Sequence, residues 1–172
     1  DAARLEAVGA PRPAVCGNLK FEVEPAADKQ ALGLAWKSRL GQRFVWLAAS
    51  TREGEEAIVL DALAKLRATG REVLLVLVPR HPQRFDAVRD LLAKRHEAAA
   101  FRSAGGVPAP GTRVLLGDTM GELMMFYAAA DVAFVAGSLL PIGGHNLLEP
   151  ASVGRPVLTG PHNFNGEEIA GL

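Results

Sequence analysis

Cysteine occurs once in the 172 residues, at Cys16, so no internal disulfide can brace the fold, which fits a reducing compartment. Neither sign of charge is in excess. Nineteen Lys and Arg face nineteen Asp and Glu, and no overall field attracts or repels nucleic acid. Long hydrophobic runs are missing: the longest, such as Val73 to Pro79, have strand length and fall far short of a ~20-residue membrane span. No signal-peptide pattern follows Asp1. The four histidines, His81, His96, His145 and His162, show no metal-ligand spacing and have no cysteine partners. A Gly-x-Gly-x-x-Gly turn after a strand, a Gly-x-x-x-x-Gly-Lys phosphate loop and a Gly-x-Ser-x-Gly elbow around Ser138 are all absent. No metal and no cofactor are therefore expected.

What remains is a composition that is 49% hydrophobic and 22% charged, ample for one domain with a core of its own. Val15 to Phe21 is β-prone and interrupted by Gly17, and predicts a strand or extended arm. Asp28 to Leu40 has helical spacing, with Leu32, Ala35, Trp36 and Leu40 able to share a face. A regular rhythm then begins. Phe44 to Ala49 predicts a buried strand, and Ser50-Thr51-Arg52-Glu53 a capping box opening a helix that runs to Gly70. Val73 to Val78 is apolar on both faces, as a central parallel strand should be. A helix over Phe85 to Arg95, a loose loop over Ala98 to Gly111 and a strand over Arg113 to Leu116 follow. Next come a helix over Met120 to Ala130 and a strand over Val132 to Ala136. A loop over Gly137 to Gly144, a helix from Asn146 and a strand over Pro156 to Thr159 complete the series. The alternation predicts an α/β, Rossmann-like parallel sheet with helices on both faces. Ligands in such sheets sit beyond the carboxyl ends of the strands, near a change of strand order.

That rule singles out five junctions. In Gly143-Gly144-His145-Asn146-Leu147-Leu148-Glu149-Pro150 two glycines permit close backbone approach, and a helix start can seat a phosphate. Glu149, one turn in, can accept two hydrogen bonds from a ribose diol. A capped helix with an acidic first turn has the same pattern. Arg80, in the stiff turn Pro79-Arg80-His81-Pro82, can grip phosphate bidentately; it can equally be a surface arginine. Gly117-Asp118-Thr119-Met120-Gly121-Glu122 offers backbone groups and an apolar wall for a flat base, although helix capping alone also explains it. Ser50 to Glu56 and Gly160 to Phe164 lie at the same end of the sheet. The Met124 to Tyr127 stretch reads as core packing.

Six segments, in this order and spacing, resemble the Kdo (3-deoxy-D-manno-octulosonic acid) transferases. They are Val15 to Phe21, Ala48 to Glu56, Val78 to Pro82, Leu116 to Leu123, Gly143 to Pro150 and Gly160 to Phe164. Arg52 stands where the family carries His, and Gly166 where an aromatic is common. The resemblance implies a two-domain GT-B glycosyltransferase of which residues 15–172 are the C-terminal, nucleotide-sugar-binding domain and residues 1–14 a linker remnant. It implies inverting, metal-independent transfer of Kdo from CMP-Kdo to a lipid A precursor in lipopolysaccharide biosynthesis. The acceptor is expected to be bound through an N-terminal domain that also holds the acidic general base and the membrane anchor. Both chain ends are thus expected to be cuts in a longer protein of the cytoplasmic side of the bacterial inner membrane, this part being soluble and inactive alone.

By motif, the cytidine monophosphate contacts fall on Pro79, Arg80, Met120, Gly121, Glu122, Asn146, Leu147, Leu148 and Glu149. Glu149 is expected on ribose, Asn146 near phosphate, Met120 to Glu122 along the cytosine, and Arg80 beside the leaving phosphate. Two other readings stand beside this one. One is a GT-B enzyme or epimerase using a UDP-sugar; the other is a non-catalytic α/β ligand-binding domain.

Overall fold

Strand β1, Phe44–Thr51, shows how the pattern becomes a fold. Its side chains alternate between two separate cores. Val45, Leu47 and Ala49 enter one with residues of helices α2 (Ala27–Arg39) and α5 (Leu123–Ala129). Trp46 and Ala48 enter the other with α3 (Glu55–Ala68) and α4 (Phe85–Lys94). A strand buried on both faces must be apolar throughout, and β2, Val73–Pro79, is buried at every position. Each fully buried leucine in these cores contributes roughly 1.5–3 kcal/mol.

The computed structural model describes residues 2–14 and 26–171. Besides the elements above it contains α1 (Ala2–Ala7), β3 (Ala99–Phe101), β4 (Val114–Leu116), β5 (Val132–Val135), α6 (Leu148–Ser152), β6 (Val157–Thr159) and α7 (Glu167–Ala170), with 3-10 turns at Pro82–Arg84 and Arg102–Ala104. The six strands form one sheet in the order β3-β4-β2-β1-β5-β6, and every pairing is parallel. The α/β sheet with helices on both faces is thus as expected. The predicted arm over Val15 to Phe21 lies outside the described residues.

Five local expectations are corrected. The capping box at Ser50 to Glu53 does not form. β1 runs on through Thr51 by a bulge at Ser50, whose φ is +58°, and α3 starts at Glu55 with Gly54 as its N-cap residue. Within the predicted loop over Ala98 to Gly111, Ala99–Phe101 pairs with β4 as an edge strand; two alanines carry no β signal. The helix expected from Met120 begins at Leu123, and the one expected from Asn146 is five residues starting at Leu148. In α2, Leu32 is 54% exposed, and the buried side is Gly33, Trp36 and the following Leu40.

That last correction has a steric cause. A Cβ on Gly33 would lie 2.3 Å from the Met125 carbonyl oxygen and 2.7 Å from the Ala128 Cβ. Only glycine lets α2 and α5 touch so closely, and the contact rotates Leu32 outward. Trp36 then meets Phe126 edge-on, ring centroids 5.9 Å apart. Lys37 pairs with Asp131, whose carboxylate also accepts from Val45 N at 2.7 Å, so α2 is tied to the start of β1.

Candidate functional site

The strand order reverses its sense at β1. From β1 the chain leaves by α3 toward β2 on one face; from β5, on the other flank of β1, it leaves by α6 on the opposite face. The crevice beyond the carboxyl ends of β1 and β5 is therefore where a ligand belongs. The bulge at Ser50, a non-glycine residue with positive φ, sits at its edge, as strained backbone at binding sites often does.

One carboxylate organises this crevice. Glu55 is fully buried and accepts four backbone N–H bonds. They come from Arg52 at 3.0 Å, Gly137 at 2.8 Å, Ser138 at 3.0 Å and Leu139 at 3.0 Å. It therefore clamps the loop after β1 to the loop after β5. Its neighbour Glu56, also buried, accepts from Thr51 Oγ1 at 3.2 Å and Arg84 Nη2 at 3.1 Å. Ser138 continues the clamp: its Oγ donates to Val135 O and accepts from Gly160 N, at 2.9 and 2.8 Å.

Over this floor lie two arginines and two histidines. Arg80 is exposed and its N–H donates to Thr51 O at 3.0 Å. Arg52 Nη1 lies 2.6 Å from His81 Nε2. His145 packs its ring on Gly137, whose absent Cβ would be 2.8 Å from two ring atoms. Burial first, then the charges of Arg80 and Arg52, hold the His145 imidazole below its ordinary pKa. Its Nε2 is buried without a hydrogen-bond partner among the described residues. Two arginines and two histidines thus converge from three loops, an arrangement suited to an anion.

The remaining predicted contacts follow along the same rim. Asn146 Oδ1 accepts from Leu148 N at 3.0 Å and its Nδ2 lies 3.3 Å from Glu149 Oε1. Glu149 also acts on α5: burial, and after it the Glu149 charge, pushes the Tyr127 phenol far above its ordinary range. Leu147 is buried in the core, so its backbone is the part left to meet a ligand. Pro79 is likewise buried, paired with Thr51. Met120 is 68% exposed, and Gly121 has open space where a side chain would be. Glu122 accepts from Arg102 Nε and Nη2 at 2.9 and 2.7 Å, and from Thr119. Arg102 first, against partial burial, holds its carboxyl below the ordinary range. That carboxylate fixes the turn, while Met120 and Gly121 present the open surface. The loops after β4, β2, β1 and β5 span three strand spacings, about 14 Å.

Residue-type reasoning misses Glu55 and Ser138. A carboxylate in a first helical turn reads as a partner for the helix dipole, and no local signal tells that its oxygens reach residues more than eighty positions away. Asp118 is a third such case. Burial would raise its carboxyl, but the Ser103 hydroxyl and amide with Arg89 outweigh that and hold it low.

No protein-family profile matches the chain. A 3-deoxy-D-manno-octulosonic acid transferase of Bordetella pertussis is 47% identical over 174 residues, covering 99% of this chain and 40% of that protein. One of Haemophilus influenzae is 45% identical, covering 90% of this chain and 36% of its own length. The chain thus spans about two-fifths of these curated relatives. The crystal structure of the C-terminal CMP-Kdo binding domain of WaaA from Acinetobacter baumannii superposes with a TM-score of 0.80 at 37% identity. It covers 85% of this chain, and this chain 77% of it.

Proposed function

The chain belongs to the 3-deoxy-D-manno-octulosonic acid transferase family, and on that premise we propose that it holds the CMP-Kdo donor of a GT-B glycosyltransferase. The observation that carries this reading is the convergence of Arg80, Arg52, His81 and His145 above the Glu55 clamp at the β1–β5 crevice. In the proposed pose the donor phosphate rests on Arg80 and the Asn146 backbone. Glu149 meets the ribose hydroxyls, and cytosine lies along Met120 and Gly121, which the Glu122–Arg102 pair holds in place.

The proposed reaction is an inverting, metal-independent displacement. An acceptor hydroxyl of a lipid A precursor attacks the anomeric carbon as the bond from that carbon to the CMP phosphate oxygen breaks. CMP leaves with the electron pair, its growing charge stabilised by the arginines. The hydroxyl proton passes to an acidic residue of an N-terminal domain, which also binds acceptor and membrane on the cytoplasmic side of the bacterial inner membrane. The chain supplies the donor site and leaving-group stabilisation.

Calorimetric titration tests this. CMP is expected to bind in preference to UMP and UDP, and Arg80→Ala to weaken it roughly ten- to hundredfold, the loss of one charge-assisted contact of about 1.5–3 kcal/mol. Preference for the uridine nucleotides would instead mark a UDP-sugar site. No binding at millimolar CMP with the fold intact would leave a non-catalytic domain. Kdo transfer by the chain alone would overturn the assignment of the general base to another domain.

A further inference from the structure

A second cleft lies at the opposite pole of the sheet, where the strands begin. Its volume is about 650 Å3, and five arginines line it, Arg39, Arg43, Arg67, Arg71 and Arg113, against one acid, Glu72. In a chain of zero net charge this is a local excess of four positive charges.

Helix ends account for only part of it. Arg39 and Arg67 stand in the last turns of α2 and α3, where cations offset the negative end of the helix dipole. Arg43, Arg71 and Arg113 have no such reason. They precede β1, β2 and β4 by one or two residues, and these three strands are neighbours in the sheet. Neighbouring strands are about 4.8 Å apart, so the three cations form a row across the sheet edge. Arg43 donates to the carbonyl oxygens of Ala109, at 3.4 Å, and Thr112, fixing the loop that forms the far wall. The other four guanidinium groups make no hydrogen bond or ion pair among the described residues.

We propose that this cleft binds phosphate groups, at a site separate from the β1–β5 crevice. Four unpaired guanidinium groups offer up to five N–H donors each, which calls for a ligand rich in acceptor oxygens and charge. Phosphate supplies both in a shape that fits bidentate arginine contacts. The source is either a free phosphorylated solute or the headgroups of an anionic lipid surface, for which clustered Lys and Arg are the usual recognition element.

The test uses inorganic pyrophosphate followed by backbone NMR, and sedimentation with vesicles of phosphatidylglycerol in phosphatidylcholine. The expected result is pyrophosphate-dependent shifts at Arg71, Glu72 and Arg113, with affinity at least tenfold weaker in the Arg71→Glu, Arg113→Glu variant. Both positions are exposed; should the charge reversal unfold the chain, Arg71→Gln with Arg113→Gln makes the same comparison. Vesicle binding without pyrophosphate binding, lost in the variant, supports the lipid source. Binding unchanged in the variant, shifts confined to Arg80 and His145, or no binding to either probe overturns the proposal.

Discussion

At the scale of single residues, the site depends on a buried charge. Four amides point at the Glu55 carboxylate, so Glu55→Gln would set an amide NH2 against other donors. We expect a loss of roughly 2–3 kcal/mol, read as a lower urea midpoint, together with weaker nucleotide binding as the 137–139 loop loosens. His145 reports on the same place. Its titration midpoint by NMR is expected below the ordinary 6.5 of a free imidazole. Saturating CMP should move it upward, because a bound phosphate offsets the arginine charges that disfavour imidazolium. A midpoint that stays put on binding would put the phosphate away from Arg80 and Arg52. Neither residue was marked by its type. Glu55 resembled any acidic helix start, and His145 stood out only through the glycines beside it.

At the scale of elements, the pairing of α2 with α5 rests on the absence of a side chain. Gly33→Ala is expected to destabilise the chain by about 1–3 kcal/mol, the usual range for overpacking, because the nearest obstacle is backbone, the Met125 carbonyl. A thermal melt checks this, and an unchanged melting temperature would mean that the two helices separate at no cost. α5 carries the 117–122 turn at its front, so the same variant should also weaken base recognition if Met120 and Gly121 hold the cytosine. Five of the six strands were legible in order, because unbroken apolar runs bounded by Gly and Pro have few other uses in a parallel sheet; the edge strand Ala99–Phe101 was not, since it is no such run. Element starts were less legible. At the starts of α3 and α5 the carboxylates of Glu55 and Glu122 are taken up by distant partners, the 137–139 amides and Arg102, whereas α6 starts late although its bonds are local, Leu148 N to Asn146 Oδ1.

At the scale of the whole molecule, acid sensitivity should trace to two carboxylates. Asp118 and Glu122 lie below their ordinary values of 3.8 and 4.5 in the folded chain. The unfolded chain therefore binds protons first as pH falls. Their contribution is complete above those ordinary values and is lost as pH drops through the lower folded ones. Urea midpoints measured from pH 6 to about pH 2 should fall less steeply in Asp118→Asn with Glu122→Gln than in the unchanged chain. Equal slopes would assign acid unfolding to other groups.

The sequence by itself determined the parallel α/β sheet and the set of loops at its strand ends. Hydrophobic periodicity is local, and strand ends are marked by Gly, Pro and polar runs wherever the chain goes. Only the tertiary structure decided which loops meet. The order β3-β4-β2-β1-β5-β6 brings Arg52, Arg80 and His145 together, sends the Glu55 carboxylate to Gly137, and lines up three arginines at the far pole. Each of these depends on contacts between residues distant in sequence, which no local pattern encodes.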